Sequence, residues 1–152
     1  MCGMSAEAEL DRFIARFTPE MQGRIRACRD RMRRRFPNAV ELVYDNYNFL
    51  VIAYSPTPRA SDAVISLAAD KHGVNLCFLV PDATRLPDPS GILRGTGKRA
   101  RNTPLESADV LDDDEVLVLL AAASAEAPVP TTDASGGELV IRSVSPNQRP
   151  RR

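Results

Sequence analysis

The sequence predicts an α+β fold, a two-layer sandwich in which helices pack on a mainly antiparallel sheet of about five to six strands. Three observations point to it. The first 37 residues hold two amphipathic helical patterns ended by a proline. Residues 39 to 80 then hold four strand patterns in succession with no helical pattern between them, which is the order of an antiparallel meander rather than of βαβ units. An apolar helical pattern follows at 109 to 127, and a chain of 152 residues can bury roughly 68–70% of its surface as one domain. The expected domain runs from 6 to 126, and residues 127–152 read as a linker, a late edge strand and a basic flexible tail.

The first helix is read over Ala6 to Phe17, where Leu10, Phe13, Ile14 and Phe17 recur at helical spacing. Thr18 is a good N-cap for the second, with Pro19 at its first helical position and Glu20 in its first turn. Met21, Ile25, Cys28 and Met32 form one apolar stripe, and Pro37 stops the helix. Residues 24 to 35 hold seven Arg against one Asp. The expectation is that these arginines fill the helix's solvated side, those of the last turns suiting the negative end of its dipole.

After Pro37 the period changes to two. In AVELVYD, Val40, Leu42 and Tyr44 face one way and Glu41, Val43 and Asp45 the other. YNFLVIAYS is apolar on both faces, as a strand inside a sheet would be. AVISLAA and VNLCFLV are two further strands joined by DKHG, a hairpin-type connection. Residues 81–98, PDATRLPDPSGILRGTGK, then form a long Pro- and Gly-rich loop with a helical turn expected near Ser90 to Arg94. RARNTPLE is a short strand, DVLDDDEVLVLLAAASAEA the last helix with acids crowding its N-terminus, PVPTTDASGG a linker and ELVIRSVS an edge strand. PNQRPRR reads as a mobile basic tail.

Lys plus Arg equals Asp plus Glu at 20 each, so no global field recruits nucleic acid, and a nucleic-acid partner is disfavoured. The three cysteines are scattered, form no C-x-x-C pair and meet a single histidine, which argues against a structural zinc site or a disulfide framework. Cys28 and Cys77 read as buried thiols. No apolar run reaches the ~20 residues of a membrane span, so the expected location is cytoplasmic, with no membrane partner. No Ser, Cys or Asp sits in a motif for nucleophilic catalysis, so the chain is read as a non-enzymatic module without a cofactor.

The most suggestive segment is GILRGTGKRAR at 91–101. It is not a Walker loop: counting back from Gly97-Lys98, the first glycine is due at Ile92, and Arg99 stands where the magnesium-binding hydroxyl is needed. Two readings remain. It is a Gly-rich turn feeding a surface strand, or the amides of Gly95 and Gly97 form an anion nest with Arg94, Lys98 and Arg101. Tyr44, Tyr47 and Tyr54 lie on neighbouring strands, and Tyr44 and Tyr47 are the candidates to complete a cleft with that loop. The ligand would be an anionic small molecule or an acidic protein partner. No residue is assigned to a metal, and the acids at 109–115 are explained by a helix N-terminus.

NAVELVYDNYNFLV, ISLAADKHGVNLCFLVPDATRLPDPSGILRGTGKRARNTPLES and LDDDEVLVLLAAA together resemble the YdhG-like family, a bacterial domain of unknown function. The ending LVIRSVSPNQRPRR resembles a longer branch of that family. The resemblance covers roughly residues 8 to 145 and implies a compact α+β sandwich without an established activity. Some members are described as frataxin-like iron chaperones, which makes an iron-delivery role the alternative reading. This sequence departs from that role, because its long early helix is arginine-rich and only the acids at 109–115 could form an acidic patch.

Overall fold

A computed structural model describes residues 5–127 and 137–152. Helix α1 spans Ala6–Ala15 and α2 spans Pro19–Arg35. Thr18 caps α2 as the sequence suggests and Ser5 caps α1, their hydroxyls accepting from the amides of Met21 and Ala8 at 3.2 and 3.1 Å. Strands β1 (Val40–Asp45), β2 (Leu50–Ser55), β3 (Ile65–Asp70) and β4 (Gly73–Leu79) form the expected meander, and β5 (Ala100–Leu105) extends it. Helix α3 spans Asp114–Ala125, and β6 spans Leu139–Val144. The six strands form one sheet in the order β5-β4-β3-β2-β1-β6, antiparallel throughout except that β6 lies parallel to β1.

The three helices cover one face of the sheet. Their apolar stripes meet Val43, Leu50, Ile52, Ile65, Leu67, Leu76, Phe78 and Leu105 from alternate strand positions, which is the period-2 pattern at work. Phe17 and Phe78 are the largest fully buried side chains, and each such burial contributes about 1.5–3 kcal/mol. The opposite face carries only a small apolar cluster of Val40, Leu42 and Ala53, flanked by Tyr44 and Val140.

Several expectations are corrected. The arginines of α2 do not all lie on a wet face: Arg29 is 7% exposed and points at the sheet. Cys28 is fully buried, whereas Cys77 is only half-buried because it faces the uncovered side of β4. The helical turn expected at Ser90 to Arg94 forms earlier, as a 3-10 turn at Ala83–Arg85 whose cap is the Asp82 carboxylate. The acids before α3 also sit in a 3-10 turn, Ala108–Asp112, so the helix proper starts two residues later. The linker PVPTTDASGG lies outside the described residues except for Gly137. The end of the chain is a docked strap rather than a free tail, since Arg151 is 5% exposed.

Candidate functional site

The 91–101 segment folds along the β5 edge. Arg94 and Asn102 exchange two backbone hydrogen bonds of 2.7 and 3.0 Å, which closes residues 95–101 into a turn. Gly95 has φ 110°, and a Cβ there would come within 3.1 Å of the Ala100 carbonyl, so this position requires glycine. Arg101 does not aim outward. Its guanidinium donates to the carbonyls of Gly97 and Ala100, bracing the turn from within. The amides of Ile92 and Leu93 donate to the Asp88 carboxylate at 2.8 and 3.0 Å, so the loop's base already has its anion. Arg94, Gly95, Gly97 and Lys98 are exposed.

Tyr44 and Tyr47 do not join them, and the expected cleft does not form. Tyr44 is half-buried on β1, and Tyr47 is 50% exposed in the β1–β2 turn. The meander places β1 four strands away from β5, roughly 19 Å at about 4.8 Å per strand. Tyr54, on β2, is 4% exposed and faces the helices instead.

A different set of groups converges where α2 ends against β1. Glu41 is 2% exposed, on the helix-covered face of β1. Arg29 grips it with both Nε and Nη2, at 3.0 and 2.9 Å, and the Tyr54 hydroxyl donates to Oε2 at 2.9 Å. Arg29 also reaches Glu7 through two bonds of 3.1 and 2.7 Å. Arg33 stands 3.7 Å from both carboxylates. Two acids and two arginines thus make a neutral cluster whose buried members, Arg29 and Glu41, are hydrogen-bonded to each other, which is the condition under which buried charge is tolerated. The bond from Arg29 holds the Glu7 carboxyl below its ordinary value. Burial opposes charge on Arg29, but its hydrogen bonds to Glu41 and Glu7 outweigh that and hold the guanidinium protonated. Burial, with the Glu41 charge, pushes the Tyr54 phenol well up, so it stays a donor.

This cluster forms one wall of a groove of about 680 Å³. Arg33 and Arg34 of α2 line it beside Asp30, and Phe36, Pro37 and Ala39 give it an apolar floor. Arg34 is exposed, also borders a second hollow with Arg31 and Arg35, and meets no carboxylate within ion-pairing distance among the described residues. The acids expected to form a patch are engaged elsewhere: Asp109 and Asp112 converge on Arg31 at 2.9 and 2.6 Å, and Asp112 also lies 3.7 Å from Arg35. The bond from Asp109 raises the Arg31 pKa.

Sequence reasoning missed this site because it treated the α2 arginines as one solvated face. One signal was available. Glu41 shares its strand face with Val43, so an acid had to enter the apolar layer directly after an arginine-rich helix. Comparison with family models, curated proteins and solved structures returns no match.

Proposed function

We propose that the chain is a non-enzymatic binding module for an anionic small molecule, seated in the groove at the end of α2. The observation that supports this reading is Arg34: a cation in a groove of ligand-sized volume that makes no ion pair among the described residues, although Asp30 and Glu41 also line the groove. Binding pockets of about 300–1,000 Å³ with an apolar lining and a few placed polar groups are typical of small-molecule sites. Arg33 lies beside it, and the Arg29–Glu41–Tyr54 cluster fixes the wall from which Arg33 projects.

The position has one cost. The groove lies near the C-terminal, negative end of α2, which disfavours an anion by about 0.3–1 kcal/mol. A hydrogen bond to a charged group is worth about 1.5–3 kcal/mol, so the Arg34 fork alone outweighs the dipole. The forked geometry suits phosphate or carboxylate, and Phe36 and Pro37 suit an apolar or planar body attached to it. The resemblance to the YdhG-like family is compatible with this reading, since that family lacks an established activity.

The test is thermal stabilisation by phosphate, pyrophosphate and citrate. At a concentration 100 times Kd, a bound anion adds about 2.7 kcal/mol. We expect at least one of the three to raise Tm, and the double substitution Arg33→Ala, Arg34→Ala to remove the rise. Arg94→Ala with Lys98→Ala should leave it intact. A rise that survives loss of Arg33 and Arg34 but vanishes with Arg94 and Lys98 moves the site to the β5 edge and sinks the groove reading, as does no rise at all.

A further inference from the structure

The other end of the molecule holds a second charged site that this reading does not use. The β1–β2 turn, Asn46–Phe49, and the C-terminus of α1 together receive residues 148–152. Asp45, 1% exposed at the end of β1, accepts from Arg151 Nη2 at 3.1 Å. The carbonyls of Asn46 and Asn48 accept from the same guanidinium at 2.7 and 3.0 Å, and its Cζ lies 5.8 Å from the Phe17 ring centroid. Those are the features that select a guanidinium: a carboxylate and two carbonyls to accept from it, and an aromatic ring beside it.

The flanking residues are read in the same manner. The Arg149 amide donates to the Tyr47 carbonyl at 2.9 Å, and its guanidinium lies over the Tyr47 ring at 5.6 Å. Arg152 donates to the carbonyls of Arg16 and Ala15 at 3.0 and 3.2 Å, at the negative end of α1. Gln148 donates to the Asp45 carbonyl at 2.9 Å. A short arginine-bearing peptide is therefore held by backbone and by four side-chain positions.

The fit at the centre is incomplete. Asp45 Oδ2 and Arg151 Nε are both buried without a hydrogen-bond partner, and Arg16 Nη1 stands 3.7 Å from Oδ2. A guanidinium presented side-on would join both atoms in a bidentate pair. The occupant is thus held by tethering as well as by fit.

We propose that this surface is a binding site for an arginine-bearing peptide, which residues 148–152 occupy in cis. A short tether supplies an effective concentration on the order of 1 mM, so an external peptide with a Kd of about 10 μM would bind the intact chain roughly 100-fold more weakly. The cis segment therefore masks the site until it is displaced.

The test uses the full chain with Arg151→Ala and a fluorescent peptide of residues 145–152. The substituted chain should bind the peptide about 100-fold more tightly than the unsubstituted one, as read by anisotropy. The same peptide carrying Arg151→Ala should not bind, and Asp45→Asn added to the chain should remove the gain. Equal binding by the substituted and unsubstituted chains, or equal binding of the two peptides, overturns the proposal. Should Arg151→Ala prevent folding, Arg151→Lys keeps a cation in the socket without its fork. That folded variant should bind the peptide at least ten-fold more tightly than the unsubstituted chain, and failure to do so overturns the proposal equally.

Discussion

Glu41 shows how one residue can organise a site. It enters the apolar layer because strand alternation sends it to the side of Val43, and it is tolerated because Arg29 and Tyr54 meet it there. Removing one partner of a buried ion pair costs about 3–5 kcal/mol, since the other charge is stranded. Arg29 keeps Glu7, so Glu41→Gln should lie at the low end, about 3 kcal/mol, in urea denaturation. Tyr54→Phe removes one hydrogen bond to that carboxylate and should cost about 1.5–3 kcal/mol, no more than Glu41→Gln. A larger loss for Tyr54→Phe than for Glu41→Gln would show that the hydroxyl, not the arginine, carries the cluster. The sequence displayed the acid and the arginines but not their meeting, because pairing across two elements leaves no trace in either element's own periodicity.

At the scale of elements, the strands and helix caps were readable from local chemistry. Thr18 and Pro19 start α2 as their types require, and Asp70 closes the β3–β4 turn by accepting from the amides of His72 and Gly73. The loop before β5 was harder, because its conformation is set by Asp82 and Asp88 reaching backbone amides several residues on. The parallel pairing of β6 was not readable at all, since an edge strand's alternation is the same whichever way it runs. Its entry depends on Gly137, at φ 83°, where a Cβ would sit 3.1 Å from the Pro37 carbonyl. Left-handed backbone costs an L-residue about 1–2 kcal/mol before any clash. Gly137→Ala should therefore lower stability by about that much and speed hydrogen exchange in β6 selectively. Unchanged β6 protection would show that the strand's docking does not depend on this turn.

For the whole molecule, the helix-covered face concentrates the groups whose ionisation folding perturbs, and stability should follow their pH behaviour. Burial pushes the Cys28 thiol from 9.0 up to about 11, and Tyr54 rises well above its ordinary 10.0. A raised acid retains its proton in the folded state, so its contribution is complete below the unfolded value and fades as pH climbs through the folded one. Glu7, lowered from 4.5, behaves oppositely, its contribution disappearing as pH falls below that point. Tm should be flat between about pH 5 and 9 and fall on both sides. Burial also raises the Cys77 thiol, so Cys28→Ala should lessen but not remove the alkaline fall above about pH 9, which a pH series of melting curves would read; an unchanged fall would remove Cys28 from the account. The sandwich itself was legible because burial patterns repeat along every element, whereas the site was not, because it is assembled from α1, α2, β1 and β2 by the order of the sheet. That order also has a consequence in time. The outer edge of β1 is closed by β6, about a hundred residues later in the chain. At roughly 5–20 residues per second, a ribosome would leave that edge open for about 5–20 s, with five strands already made and their first still awaiting its neighbour.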